Sequence, residues 1–337
     1  MEGVSIVICC YNSEYRIIKV LEYLAKQEAE KTVNWEIVVV DNASTDKTAE
    51  VAKTYWSRET IPLRIVSEPN PGLSNARNTG LKEAKYSFIS FVDDDNWVEK
   101  KWVQKVYNCF KNDKKIGLLG AHGEAVIEGA KPFWFDRLQM CYAVGPPALK
   151  AGTKLTRLYG AGLNIRKTVW DHLMANGFSF VLSDRSGISV TSGGDSELCL
   201  AVILAGFELH YDPDLRFYHF MPQGRLNWDY LIKLIESFGR TDPVINIYIS
   251  SINEYNGYKR YIRENRWMIL LYSIYLFICR WPGYLKILFS KKEGRLEHVG
   301  FQRAKYRVLE SFRVFSDFSK MVSSIRKAQW RQSTFVN

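Results

Sequence analysis

The sequence predicts an α/β chain, a mostly parallel sheet flanked by helices, followed by a helical C-terminal extension. Three observations carry the prediction. Short β-branched, apolar runs alternate with segments of helical periodicity through the first third of the chain. Several of these runs end in polar or acidic residues, as strands do where a parallel sheet presents its carboxyl edge. The charge is also divided along the chain: from Asn256 onward there are 17 Lys and Arg against 5 Asp and Glu, whereas the preceding 255 residues carry 29 against 31. The net charge of +10 therefore belongs to the tail.

Val4 to Cys10 is a first strand, followed by a Tyr11-Asn-Ser-Glu14 loop and a helix marked by Ile17, Ile18, Leu21 and Leu24. Trp35 to Val40 repeats the strand, leading through Asp41-Asn-Ala-Ser-Thr-Asp46 into a helix over about Thr48 to Tyr55. Leu63 to Ser67 is a third strand, ended by Glu68-Pro-Asn-Pro-Gly72, and Leu73 to Lys82 is a third helix. Phe88 to Val92 is a fourth strand that runs straight into Asp93, Asp94 and Asp95. Right-handed crossovers between such units give parallel strands, which place Tyr11, Asp41 and the acidic run on one edge although they lie far apart in sequence.

Residues 129 to 160 read as a long irregular loop. Gly160 to Lys167 reads as a strand entering a helix over Thr168 to Ala175, and residues 183 to 194 as a Ser/Gly-rich loop. A helix follows from Asp195 to Gly206, then short strands over Phe207 to Tyr211 and Leu215 to His219. These elements divide the chain into a sheet domain over 1–225, with halves over 1–125 and 126–225, and a helical basic region over 226–337.

Composition excludes several classes. With 337 residues and 47% hydrophobic content the chain has a real core. Six scattered cysteines without a C-x-x-C pair argue against a disulfide framework and a cysteine zinc site. There is no G-x-G-x-x-G after the first strand and no G-x-x-x-x-G-K-[ST], so neither a dinucleotide nor a P-loop phosphate site is indicated. The near-neutral sheet domain makes nucleic acid an unexpected partner. The apolar strand begins almost at once with no basic leader, which predicts a chain without a cleaved signal peptide, cytosolic or facing the cytosol.

The candidate chemistry sits on the strand ends. Three adjacent carboxylates raise one another's pKa, and a hard divalent cation, Mg²⁺ or Mn²⁺, would neutralise them; the blander account is an acidic turn capping the helix near Glu99. Asp195, at the start of its helix, is either a simple cap or a general base able to take a proton from an attacking hydroxyl, with Glu197 the alternative carboxylate. His219 ends a strand downstream and either completes a metal shell or is a hydrogen-bonded histidine. Tyr11 either stacks on a nucleobase or packs at its loop, and Arg77 either clamps a diphosphate or lies on a helix surface.

With these residues in place the sequence resembles the inverting glycosyltransferases of family 2, which have the Rossmann-like GT-A fold. The resemblance covers residues 4 to about 220 and rests on V-S-I-V-I-C-C-Y-N, E-I-V-V-V-D-N-A-S-T-D, N-P-G-L-S-N-A-R-N-T-G, the D-D-D-N run and G-G-D-S-E-L. It implies that Tyr11 and Asp41 contact the base of a nucleotide-sugar, Asp93 and Asp94 the ribose and diphosphate, and Asp95 the divalent metal, with Asp195 as catalytic base. The resemblance likewise makes 1–125 the nucleotide side of the sheet domain and 126–225 its acceptor side. The family usually has an acidic residue immediately before that base, where this chain has Gly194. The expected reaction moves a sugar, from a UDP-sugar in the first instance, to a hydroxyl on a glycan or lipid-linked acceptor in cell-surface polysaccharide or lipid-linked glycan synthesis. A sugar-phosphate nucleotidyltransferase would need a glycine-rich, basic loop after the first strand, which Cys10 to Glu14 is not; a non-enzymatic peripheral membrane protein leaves the acidic edge unexplained.

In the tail, Trp267 to Cys279 is uncharged but too short to span a bilayer, and Arg280, Pro282 and Gly283 interrupt it. An interfacial element, a buried core helix and a true span are the three readings. Its basic surroundings and its Trp and Tyr favour the first, and with it a peripheral location on the cytoplasmic face of a membrane. All proposed nucleotide contacts precede Asn256, so the sheet is expected to bind nucleotide without the tail.

Overall fold

The computed structural model describes residues 1–147, 155–182, 193–252, 261 and 263–331. Parts of the two predicted loops, 148–154 and 183–192, lie outside them.

The N-terminal alternation forms as its pattern predicts: β1 (Val4–Cys10), α1 (Ile17–Ala25), β2 (Trp35–Asn42), α2 (Thr48–Trp56), β3 (Leu63–Glu68), α3 (Leu73–Glu83) and β4 (Phe88–Phe91). Then follow β5 (Asn96–Val98), α4 (Trp102–Asn112), β6 (Ile116–Ile127), the one-turn α5 (Phe135–Leu138), β7 (Asn164–Arg166), α6 (Lys167–Ala175), α7 (Gly194–Leu204), β8 (Glu208–Met221) and the long α8 (Trp228–Ile252). Among the described residues, the α-helices that follow are Arg266–Leu285, Leu296–Arg313 and Phe318–Lys327.

The eight strands form one sheet in the order β3-β2-β1-β4-β7-β6-β8-β5. The β3-β2-β1-β4 block is parallel, as expected from its crossovers. Beyond it the sheet is mixed, because β7 runs antiparallel to both β4 and β6, and β5 antiparallel to β8, while β6 and β8 are parallel. The two short strands expected at 207–211 and 215–219 are a single strand. The Asp212-Pro-Asp214 interruption is absorbed as a register shift, Gly120 pairing with Tyr211 and His122 with Arg216.

Strand alternation sorts β1 and β2 between two cores. Val4, Ile6, Ile8, Ile37 and Val39 pack with α1, α2 and α4. Val7, Val38 and Val40 face α3, α6 and α7, and Gly80 of α3 lies so close to Val7 that a Cβ there would collide with it. This second core also holds Val244, Ile245, Ile247 and Tyr248 of α8, with Ile269, Val314, Phe318, Ile325 and Trp330 of the tail. The basic tail is helical as expected, and it is built onto one face of the sheet.

Candidate active site

Register brings the predicted residues to one edge. Cys10 pairs with Asp41, so Tyr11 and Asp41 meet at the carboxyl ends of β1 and β2; β2 continues through Asn42, placing Asp41 inside the strand. Their loops are joined by Asn12, whose Oδ1 accepts from the Thr45 backbone N–H at 2.8 Å and whose own N–H donates to Ser44 Oγ at 3.1 Å. Asp41 Oδ1 accepts from the Ser44 N–H at 3.2 Å, closing a turn of the kind aspartate favours. The Tyr11 ring is 55% exposed and open for stacking.

Asp93, Asp94 and Asp95 follow β4, and the protein pairs its own cations with Asp94 and Asp95. Asp94 Oδ2 accepts from Arg16 Nη2 at 2.7 Å and Nε at 3.1 Å, and from Ser13 Oγ. Arg225 Nη1 donates to Asp95 Oδ2 at 2.7 Å, and His219 Nε2 stands 3.7 Å from Asp95 Oδ1. Burial acts to raise the Asp95 carboxyl, but His219 and Arg225 outweigh it and hold it well below the usual carboxylate range. Asp93 goes the other way: burial pushes it up to about 6, with Asp95 and Asp94 adding to the rise against Arg77 and His219. Asp94 is raised as well, by burial and by Asp95, against Arg16 and Ser13. Arginine and histidine thus offset the opposing effects at Asp95 alone, while Asp93 and Asp94 remain raised.

Asp95 and His219 are the residues here that could contribute to a metal site. His219 Nδ1 lies 2.9 Å from the Tyr142 carbonyl, which can only accept, so Nδ1 carries a hydrogen and Nε2 is left facing Asp95. That is a two-donor set of one carboxylate and one imidazole. Among the described residues no group of three or more His, Cys, Asp or Glu could hold a metal. The carboxylate, with phosphate oxygens and water, would suit Mg²⁺ or Mn²⁺, whereas the imidazole is a softer donor and not a usual Mg²⁺ ligand.

Asp195 is the second residue of α7, not its cap, since Gly193 with φ of +131° precedes the helix. Arg77, from α3, reaches it with Nη1 at 3.0 Å from Oδ1, while Arg77 Nη2 lies 3.5 Å from the Gly160 carbonyl. Both flank a small pocket floored by Leu81, Phe91, Leu163, Trp170, Phe180 and Leu198. The carboxylate rests directly on the backbone of Gly160, where a Cβ would collide with Asp195 Oδ2. Glu197 does not share this role. It is wholly buried, with Oε1 accepting from the Val181 N–H at 2.9 Å and Tyr248 Oη at 2.6 Å, and Oε2 from the Leu182 N–H at 2.8 Å; it holds a loop and α8 in place and cannot serve as the alternative base.

Sequence reading missed Ser13, Arg16, Tyr142, Gly160 and Arg225. Arg16 carried a readable signal, because a cation at a helix start opposes the helix dipole and calls for a nearby anion. Gly160 and Arg225 carried none, since both act through residues distant in sequence.

Comparison with known proteins agrees with this geometry. A family model, glycosyl transferase family 2, matches residues 5–171. Among curated relatives, the poly(ribitol-phosphate) beta-N-acetylglucosaminyltransferase TarS of Staphylococcus aureus is 36% identical over 97 residues, 29% of this chain and 17% of TarS. The glycosyltransferase GlyA of Streptococcus pneumoniae is 36% identical over 106 residues, 32% of this chain and 15% of GlyA. The poly-beta-1,6-N-acetyl-D-glucosamine synthase of S. aureus is 30% identical over 120 residues, 35% of this chain and 28% of that protein. The matches thus span less than a third of these relatives' own lengths. Among solved structures, residues 1–349 of S. aureus TarS superpose with a TM-score of 0.53 at 18% identity, covering 96% of this chain and 90% of that one. The same fragment in complex with UDP-GlcNAc gives 0.54, again at 18% identity and with the same coverage. At that identity the superposition speaks for the fold, and the family match speaks for the lineage. Residues 5–171 of the chain thus form a glycosyl transferase family 2 domain, and its sheet has the GT-A fold.

Proposed function

We propose that the protein transfers a sugar, with inversion, from a nucleotide-sugar to a hydroxyl of a glycan or lipid-linked acceptor in cell-surface glycan synthesis. The single observation that carries this reading is the placement of Asp195. A partly exposed carboxylate, held by Arg77 at 3.0 Å and seated on Gly160 beside an apolar pocket, stands on the same sheet edge as the acidic run. UDP-GlcNAc is the first donor to test, because relatives are named for N-acetylglucosamine transfer and a solved neighbour holds UDP-GlcNAc.

In this mechanism the nucleoside lies against Tyr11 and Asp41, and the diphosphate beside Asp93 to Asp95. Arg77 sets the Asp195 carboxylate through Oδ1 and leaves Oδ2 toward the acceptor, whose hydroxyl proton it takes as the oxygen attacks the anomeric carbon from the face opposite the leaving diphosphate. Arg225 is placed to exchange its Asp95 partner for a diphosphate oxygen, and guanidinium suits both anions. A Mg²⁺ or Mn²⁺ held by Asp95 and His219 would supply Lewis-acid stabilisation of the departing diphosphate.

A panel of nucleotide-sugars with Mn²⁺ or Mg²⁺, scored for released nucleoside diphosphate, tests the proposal. Consumption of added pyrophosphate, with formation of a nucleoside triphosphate and a sugar 1-phosphate, would instead place the chain with nucleotidyltransferases. Nucleotide binding without turnover on any donor and acceptor would reduce the site to a binding module.

A further inference from the structure

The Arg266–Leu285 helix is apolar around most of its circumference but packed on only one side. Its inner residues Ile269, Leu270 and Ser273 are buried, and Ser273 Oγ lies 3.0 Å from Ser311 Oγ and accepts from Arg307 Nε at 3.1 Å. Its outer residues Trp267, Leu271, Tyr275, Ile278, Trp281 and Leu285 recur at steps of three and four and form one stripe. Each is between 43% and 62% exposed, and Phe289 beyond the helix end is 98% exposed. The predicted break at Arg280 to Gly283 does not occur, so the helix has 20 residues and a length of about 30 Å. An apolar stripe this long on a folded surface marks an interaction site.

Charge selects the partner. Between Asn265 and Lys292 there are five basic residues (Arg266, Arg280, Lys286, Lys291 and Lys292) and no acidic one. Trp and Tyr along the stripe are the side chains that settle at the boundary of headgroup and acyl chain. A second copy of the chain would bring the same basic border against itself, whereas an anionic surface complements it.

We propose that this face docks on an anionic phospholipid bilayer, with the helix lying in the interface plane. By length and composition the helix could cross a membrane, since its most apolar window has mean hydropathy 1.3. Crossing is opposed by its attachment: the Leu296–Arg313 helix behind it carries Arg303, which pairs with Asp242 at 2.8 Å, and Glu310, which pairs with Arg313. A span would carry these charges into hydrocarbon. The far end of the stripe is tied to the acceptor half, where Trp134 Nε1 donates to Glu293 Oε1 at 3.1 Å and Gly294 lies against the exposed Phe133. The bilayer therefore lies beside the 129–147 segment, where a lipid-carried acceptor would be presented. The docking rests on the surface alone and holds whichever donor the site uses.

The experiment is cosedimentation of the full chain with vesicles of phosphatidylcholine, with and without phosphatidylglycerol, at low and high salt. The wild type should sediment with phosphatidylglycerol vesicles, high salt should release only part of it, and brominated acyl chains should quench its tryptophan fluorescence. The double variant Leu271→Glu/Ile278→Glu should bind about tenfold or more weakly with an unchanged thermal melt, and Trp267→Phe/Trp281→Phe should lose most of the quenching. A wild type that stays in the supernatant at low salt overturns the proposal. So does a double variant that sediments like wild type, or light scattering that shows a vesicle-indifferent dimer broken by the same double variant.

Discussion

Asp195 and Glu197 lie two residues apart on the first turn of α7, yet only one can take a proton from a substrate. Asp195 is partly exposed beside the pocket and gives Oδ1 to Arg77, whereas Glu197 is buried and spends both oxygens on Val181, Leu182 and Tyr248. Asp195→Asn is expected to retain UDP binding by calorimetry while transfer falls by about 10²–10⁴; transfer near the wild-type rate would remove Asp195 as the base. Glu197→Gln is expected to do the reverse, lowering stability by about 1–3 kcal/mol in a thermal melt, because an amide nitrogen cannot accept from buried N–H groups. Gly160→Ala tests the seat of the proposed base. Its Cβ must displace the Asp195 carboxylate, and a misplacement of that order is expected to cut kcat by about 10² with UDP binding preserved.

At the scale of elements, the connection from β8 to α8 decides how the acidic edge is used. Tyr142 serves it twice, its carbonyl orienting His219 and its hydroxyl donating to the Arg225 carbonyl at 3.1 Å. On the proposed reading, Arg225 and a divalent cation would compete for Asp95, and both would favour a bound diphosphate. Arg225→Gln is therefore expected to tighten Mn²⁺ binding, followed by electron paramagnetic resonance without nucleotide, and to weaken UDP binding at saturating Mn²⁺ by about tenfold. Two unchanged affinities would leave Arg225 as a structural partner of Asp95. The same stretch shows why β8 was read as two strands: Asp212, Pro213 and Asp214 break the alternation, and the sheet closes over them by shifting register.

On the scale of the whole molecule, the sheet and the tail share one core. The expectation that the sheet binds nucleotide without the tail meets Ile269, Val314, Phe318, Ile325 and Trp330 buried in the cluster that contains Val7, Val38 and Val40. Truncation before Asn256 is therefore expected to expose that core, with loss of the cooperative melt and aggregation on expression. A soluble, UDP-binding fragment would show that α8 alone closes the face.

What could be read in the chain was what depends on near neighbours. Alternating apolar runs set β1 to β4 and their crossovers, and parallel pairing then obliged Tyr11, Asp41 and Asp93 to share an edge. The short motifs that follow those strands were enough to indicate the family. The partners of the carboxylates were settled only by folding. Arg16 reaches Asp94 across 78 positions, Arg77 reaches Asp195 across 118, and Arg225 reaches Asp95 across 130. At such separations no periodicity or spacing rule operates, because contact follows from packing. The tail divides in the same way: its composition declared an apolar, basic surface, but which face is buried against Ser311 and which is left bare depends on a helix that begins more than ten residues later.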